Sequence, residues 1–164
     1  MLKRLLPAIL LVVTLLLDMT VLPLFAASVY MPVFSLLLVH ALGVTLGRSR
    51  GALYGLGTGF LIDILVSTPL GAMTLVSTLL GYLGGFFARR TLKNPLWGFL
   101  SAGIGFVGME IFLNGYIILA SGQISGALFT AALMRVMINV LLTQAMIWLL
   151  IRIFNPSRSP YAAL

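Results

Sequence analysis

Long apolar runs, with the charges collected between them, constrain this chain more than any single motif. The runs cover Leu5–Phe25, Val29–Gly47, Gly51–Val66, Leu70–Ala88, Leu96–Ala120 and Ala127–Phe154. A helix needs roughly 20 apolar residues to cross a hydrocarbon core about 30 Å thick, so six crossings account for nearly the whole chain. Alternating polar and apolar residues, the mark of a membrane barrel, are missing, and the expected fold is therefore all-α with about six transmembrane helices. With 61% hydrophobic and 8% charged residues over 164 positions, little is left from which to build a soluble domain. The first run, preceded by Lys3 and Arg4 and followed by Ala26 and Ala27, also has the outline of a secretory signal. Its spanning length, its Asp18 and the further spans behind it favour a retained helix.

Orientation follows from the basic residues. Lys3, Arg4, Arg48, Arg50, Arg89, Arg90, Lys93, Arg152 and Arg158 all fall at connections on one side, whereas the opposite connections, near Ala26–Ser28, Ser67–Pro69 and Ser121–Gly126, contain none. This asymmetry places both termini in the cytoplasm. Residues 1–154 then read as one transmembrane domain and residues 155–164, NPSRSPYAAL, as a short cytoplasmic tail. The net charge of +7 is explained by orientation and anionic headgroups rather than nucleic acid. Arg48 to Arg90 forms one hairpin, broken midway by Ser67, Thr68 and Pro69, since proline disfavours helical geometry in the residue before it.

The chain has three acids, Asp18, Asp63 and Glu110, and each falls inside an apolar run, as does Arg135. At about 1.5 Å of rise per residue these charges come to similar depth, so a shared intramembrane layer is expected. Asn114 follows Glu110, and Asn139 follows Arg135, one helical turn later. Each central charge costs about 2.5 to 3.5 kcal/mol on insertion scales, enough to turn it inward or toward a partner. The structural reading has Arg135 pairing with one or two acids and holding the first, third, fifth and sixth spans in register. The sharper reading is a proton or ion path. Gly51, Gly55 and Gly59 share one face of the third span, and Gly81 with Gly85 forms GxxxG on the fourth, patterns that let helix backbones approach closely. His40 reads as a buried hydrogen-bonding residue rather than a metal ligand.

No cysteine is present, which excludes disulfides and thiolate metal sites, and no metal or cofactor is expected. The chain lacks GxSxG, a P-loop and HExxH, while GLGTGF near Gly55 lacks the strand and final glycine of a dinucleotide fingerprint. Asp18 and Asp63 as the acid pair of an intramembrane hydrolase have no supporting context. An enzyme is not expected.

Three segments carry a family resemblance: LLLDMTVLPLF with Asp18 and Pro23; RGALYGLGTGFLIDIL with its glycines and Asp63; and PLGAMTLVSTLLGYLGG with Gly71, Gly81 and Tyr82. Together they resemble MreD, the small polytopic rod-shape-determining protein family of bacteria. The resemblance implies a non-enzymatic scaffold of the elongation machinery in the cytoplasmic (inner) membrane, controlling cell shape through peptidoglycan synthesis. It implies MreC as a direct partner, and the MreB filament and RodA with its penicillin-binding transpeptidase as complex members; a homodimer is compatible with it. The partner groove is expected beside the glycine-bearing third and fourth spans or beside Asp18 and Pro23. The family is also similar in fold to the substrate-binding components of energy-coupling-factor transporters, which supplies the alternative of a vitamin-binding subunit. Those components carry AxxxA on their first helix, where this chain has Ala8 followed by Val12.

Overall fold

The computed structural model describes residues 2–21, 32–66, 71–122 and 126–154. Among these residues the chain forms six helices and no strand. They are α1 (Leu2–Leu16), prolonged by a π-helical turn over Leu17–Val21, α2 (Phe34–Leu46), α3 (Arg48–Val66), α4 (Ala72–Thr91), α5 (Leu96–Ser121) and α6 (Gly126–Phe154). Each helix packs on the next in sequence, and α2 also touches α4 and α6. One apolar cluster joins Leu10 and Leu11 to Val44, Leu46, Leu92 and Ile151. A second joins Leu15 and Met19 to Val33, Ile62, Met73, Met109 and Leu113. Successive helices therefore run in opposite directions, and Arg48, Arg50, Arg89, Arg90, Lys93 and Arg152 gather at one end of the bundle. Asp18, Asp63 and Glu110 lie toward the other.

Boundaries shift in ways that have physical causes. Arg48 and Arg50, expected in a loop, occupy the first turn of α3, because Gly47 alone makes the reversal from α2. Its φ of 96° is open to glycine, its N–H donates to the Gly43 carbonyl at 2.9 Å, and its carbonyl accepts the Gly51 N–H at 2.9 Å. Residues 29–31 of the expected second span lie outside the described residues, and the helix from Phe34 to Leu46 rises only about 20 Å over its 13 residues. This helix is shielded from its surroundings: every residue from Ser35 to Val44 is buried. Among the described residues two helical stretches, Leu96–Tyr116 and Gly126–Ile153, are long and apolar enough to cross a membrane, and Leu6–Thr20 and Phe34–Leu46 are shorter apolar helices. The expected tail from Asn155 lies outside the described residues.

The centre of the bundle is a backbone-to-backbone junction. A Cβ on Gly43 or Gly51 would strike the Gly81 carbonyl, one on Gly81 would strike the Gly51 carbonyl, and one on Gly85 would meet the Arg48 backbone. Further along, Gly55 faces the Ser77 carbonyl, Gly59 faces Met73 and Thr74, and Gly84 lies against the His40 carbonyl. Polar ties cross the same seam. The Ser77 hydroxyl donates to the Gly55 carbonyl at 2.7 Å, while His40 Nδ1 donates to the Leu80 carbonyl at 3.1 Å and Nε2 meets the Ser101 hydroxyl at 3.2 Å.

Gly55→Leu is expected to cost about 1–3 kcal/mol or more, the range for overpacking, and to lower the unfolding temperature of the detergent-solubilised protein. Gly57→Leu should leave that temperature unchanged, because a Cβ there meets nothing within 4 Å. Equal losses from both substitutions would disprove the contact argument.

Candidate functional site

Polar groups inside an apolar bundle are the natural place to look for chemistry, and the structure sorts them into three separate sets. Asp18, in the π-helical turn, accepts the Phe34 N–H at 2.9 Å on Oδ1 and the Ser35 N–H at 2.8 Å on Oδ2. Asp63, near the end of α3, accepts the N–H groups of Gly71 (3.1 Å), Met73 (3.0 Å) and Thr74 (2.9 Å) and the Thr74 hydroxyl (2.6 Å). The two aspartates do the same work. The first N–H groups of any helix lack an intrahelical acceptor, and the N-cap positions of α2 and α4 hold Val33 and Gly71, which make no side-chain cap. A carboxylate from the preceding helix takes over, and its charge also opposes the positive end of the helix dipole.

The third set joins α5 to α6. Arg135 Nη2 donates to Glu110 Oε2 at 2.7 Å, and Asn114 Nδ2 donates to the same oxygen at 3.0 Å and to the Glu110 carbonyl at 2.9 Å. The Glu110 side chain is 6% exposed and that of Arg135 25%. Asn139 is buried, and its backbone carbonyl accepts the Thr143 hydroxyl at 2.6 Å. Glu110 Oε1, Asn114 Oδ1, Arg135 Nε and Asn139 Oδ1 are buried without a hydrogen-bond partner among the described residues.

The side chains expected to share one layer are thus divided among three sets of contacts. Arg135 pairs with Glu110, and Asp18 and Asp63 are engaged at helix ends instead. Depth alone does not show which helix start lies beside which carboxylate. Among the described residues the arginine accordingly links the fifth span to the sixth. Gly51, Gly55, Gly59, Gly81 and Gly85 lie inside the α2–α3–α4 junction, packed against the backbone of this chain. At Gly71 nothing among the described residues lies within 4 Å of the Cβ position, and its φ of 95° opens α4. Tyr82 is exposed and stacks on Phe86 with centroids 6.5 Å apart. Pro23 lies outside the described residues. His40 is buried between α2, α4 and α5, and no group of three metal-ligating side chains occurs among the described residues.

Sequence reasoning missed Gly43 and Gly84, although Gly43 forms GxxxG with Gly47 and Gly84 stands beside Gly85. It also missed three guanidinium–ring contacts: Arg48 with Phe86, Arg90 with Trp97 and Arg152 with Trp148. The alternation of arginine and aromatic residues near helix ends was the available signal.

Residues 1–155 match the family described as rod shape-determining protein MreD. The chain belongs to the MreD family. No curated protein and no solved structure matches it. MreD proteins are shape-determining membrane proteins, a family of structural rather than enzymatic character, so a part in rod-shape determination and residence in a membrane follow for this chain.

Arg135→Gln is expected to destabilise by about 3–5 kcal/mol, because it strands the buried Glu110 charge. Glu110→Gln combined with Arg135→Gln should recover much of that loss. A thermal-unfolding double-mutant cycle reads the coupling, and additive effects would show that the pair is not linked.

Proposed function

We infer that this protein is a multi-pass scaffold of the bacterial inner membrane, with six crossings and both termini in the cytoplasm. In this reading it binds MreC and helps couple MreB filaments to peptidoglycan synthesis by RodA and its transpeptidase, without catalysing a reaction. Membership of the MreD family carries the reading. The use of the polar groups supports it: two acids cap helices, the third holds an arginine, and the buried histidine ties helices together. Side chains spent on holding the bundle leave an exterior of leucine, isoleucine, phenylalanine and methionine, suited to contacts within the bilayer. Lipid tails are as apolar as leucine, so a partner helix gains specificity from close packing rather than from burial alone. A groove of about 190 Å³ between α1 and α3, lined by Ala8, Leu11, Val12, Tyr54, Gly57 and Leu61, has the shape for such packing. It lies on the face of α3 opposite the glycine junction, which moves the proposed contact away from Gly55 and Gly59.

Mild-detergent purification of the tagged protein should retain MreC and, with it, wall-synthesis proteins. Retention of an ATPase with a membrane coupling subunit instead would overturn the scaffold reading. A photo-crosslinker at Leu53 or Leu61 is expected to capture the partner helix, and capture only from α5 and α6 would refute the α1–α3 placement. Cysteines at Asn94 and Gln123 should label from the cytoplasm and from outside respectively; cytoplasmic labelling of both would refute the topology.

A further inference from the structure

One exposed stripe of α4 changes character along its length. Leu75 and Leu79 are followed at helical spacing by Tyr82 and Phe86, then by Arg89 and Arg90, with Lys93 just past the helix end. The order is hydrocarbon, aromatic, cationic. At the aromatic level the rings form a ledge running across to α5. Tyr82 and Phe86 have centroids 6.5 Å apart, Phe86 and Phe87 5.1 Å, and Phe87 and Trp97 6.0 Å. A guanidinium rests near each end of this ledge, Arg48 at 5.0 Å from the Phe86 centroid and Arg90 at 4.7 Å from that of Trp97.

Away from the arginines, the same two helices enclose an apolar groove of about 300 Å³, lined by Leu79, Leu83, Ile104, Gly108, Met109 and Phe112 among others. A Cβ on Gly108 would meet nothing within 4 Å, so this wall is recessed. From Leu83 to Arg90 the helix rises about 10 Å, a span suited to a glycerol backbone and the first methylenes of an acyl chain.

Charge decides what fits. The chain has only three acids, and two of them cap helices at the other end of the bundle while the third holds Arg135. Arg48, Arg50, Arg89, Arg90 and Lys93 have no carboxylate partner among the described residues, which leaves them open to an anionic ligand. An acidic protein segment would answer the charge but leave the ledge and the groove unused. An amphiphile with a phosphate at one end and a hydrocarbon chain at the other matches all three levels at once.

We propose that α4 and α5 hold an anionic phospholipid, its phosphate at Arg90 and Lys93 above Trp97 and one acyl chain in the α4–α5 groove, with Arg48 adding to the field across the ledge. The site requires membrane residence, which the family establishes, and does not depend on the scaffold role or on orientation.

Trp97 reports on this site directly. The chain has two tryptophans, so Trp148→Phe leaves Trp97 as the sole tryptophan, excited selectively over the tyrosines at the red edge. In nanodiscs of zwitterionic lipid, acyl-brominated phosphatidylglycerol should quench Trp97 at a lower mole fraction than brominated phosphatidylcholine. Each removed charge weakens attraction to an anionic headgroup about five-fold, so Arg90→Gln should reduce the preference about five-fold and its combination with Arg48→Gln roughly 25-fold. Arg152→Gln, at the same end but off the ledge, should leave it unchanged. Gly108→Leu, which fills the groove without touching a charge, should also reduce quenching and keeps the test open if the arginine variants do not fold. Equal quenching by the two lipids would overturn the proposal. So would equal losses from Arg90→Gln and Arg152→Gln, the result expected of general surface charge.

Discussion

The contact on which this fold depends is between backbones. Within a membrane, apolar side chains gain little by leaving lipid for protein, so helices associate through close van der Waals packing and a few hydrogen bonds. Gly43 on α2, Gly51 on α3 and Gly81 and Gly85 on α4 remove the side chains that would hold three helices apart. The result is a junction close enough for carbonyl groups of one helix to lie on the Cα positions of another. This explains how α2, with 13 residues and every position from Ser35 to Val44 buried, becomes the centre of the molecule although it is too short to cross a bilayer alone. Its neighbours α1, α3, α4 and α6 enclose it.

The same closeness makes the aspartate caps geometrically available. Gly59 lies directly against Met73 and Thr74, and Met73 and Thr74 supply two of the N–H groups that Asp63, four residues further along α3, receives at 3.0 and 2.9 Å. A larger residue at Gly59 would push α4 outward and take its first turn beyond reach of the carboxylate. Packing and capping are therefore one device in the α3–α4 hairpin. Asp18 repeats the capping on α2 from the π-helical turn that ends the first helix. These two aspartates serve as fixed acceptors for helix ends that would otherwise present bare N–H groups to an apolar medium.

Much of this was legible in the sequence because the signals are local. Run length and the clustering of arginine give helices, their order and which ends lie together, and Gly55, Gly59, Gly81 and Gly85 announce close packing by spacing alone. The rest depends on tertiary neighbours. Asp18, Asp63 and Glu110 look alike as single acids in apolar runs, and nothing local shows that two meet helix starts and one meets Arg135. Gly47 and Gly71 look like the packing glycines although they serve as turns, since φ is invisible in composition. Gly43 stands alone in its helix, and only the arrival of Gly51 and Gly81 beside it reveals its use.

The Glu110–Arg135 pair stands apart from this economy. Among the described residues both hydrogen bonds that Glu110 receives from side chains go to Oε2, and Glu110 Oε1, Asn114 Oδ1 and Arg135 Nε are buried without a partner. A buried pair so incompletely satisfied contributes little net stability, because desolvation offsets much of its attraction. What it supplies is register. Among the described residues a Cβ on Gly103, Gly115 or Gly126 would meet nothing within 4 Å, so these glycines do not seat α5 on α6 as Gly51 and Gly81 seat α3 on α4. At the basic end Gln144 does that work, its side chain lying against Gly98 and its amide reaching the Pro95 carbonyl at 3.4 Å. Arg135 on Glu110 is the second fastening, and two fastenings at separated heights fix an alignment that the apolar surfaces of two long helices would leave free.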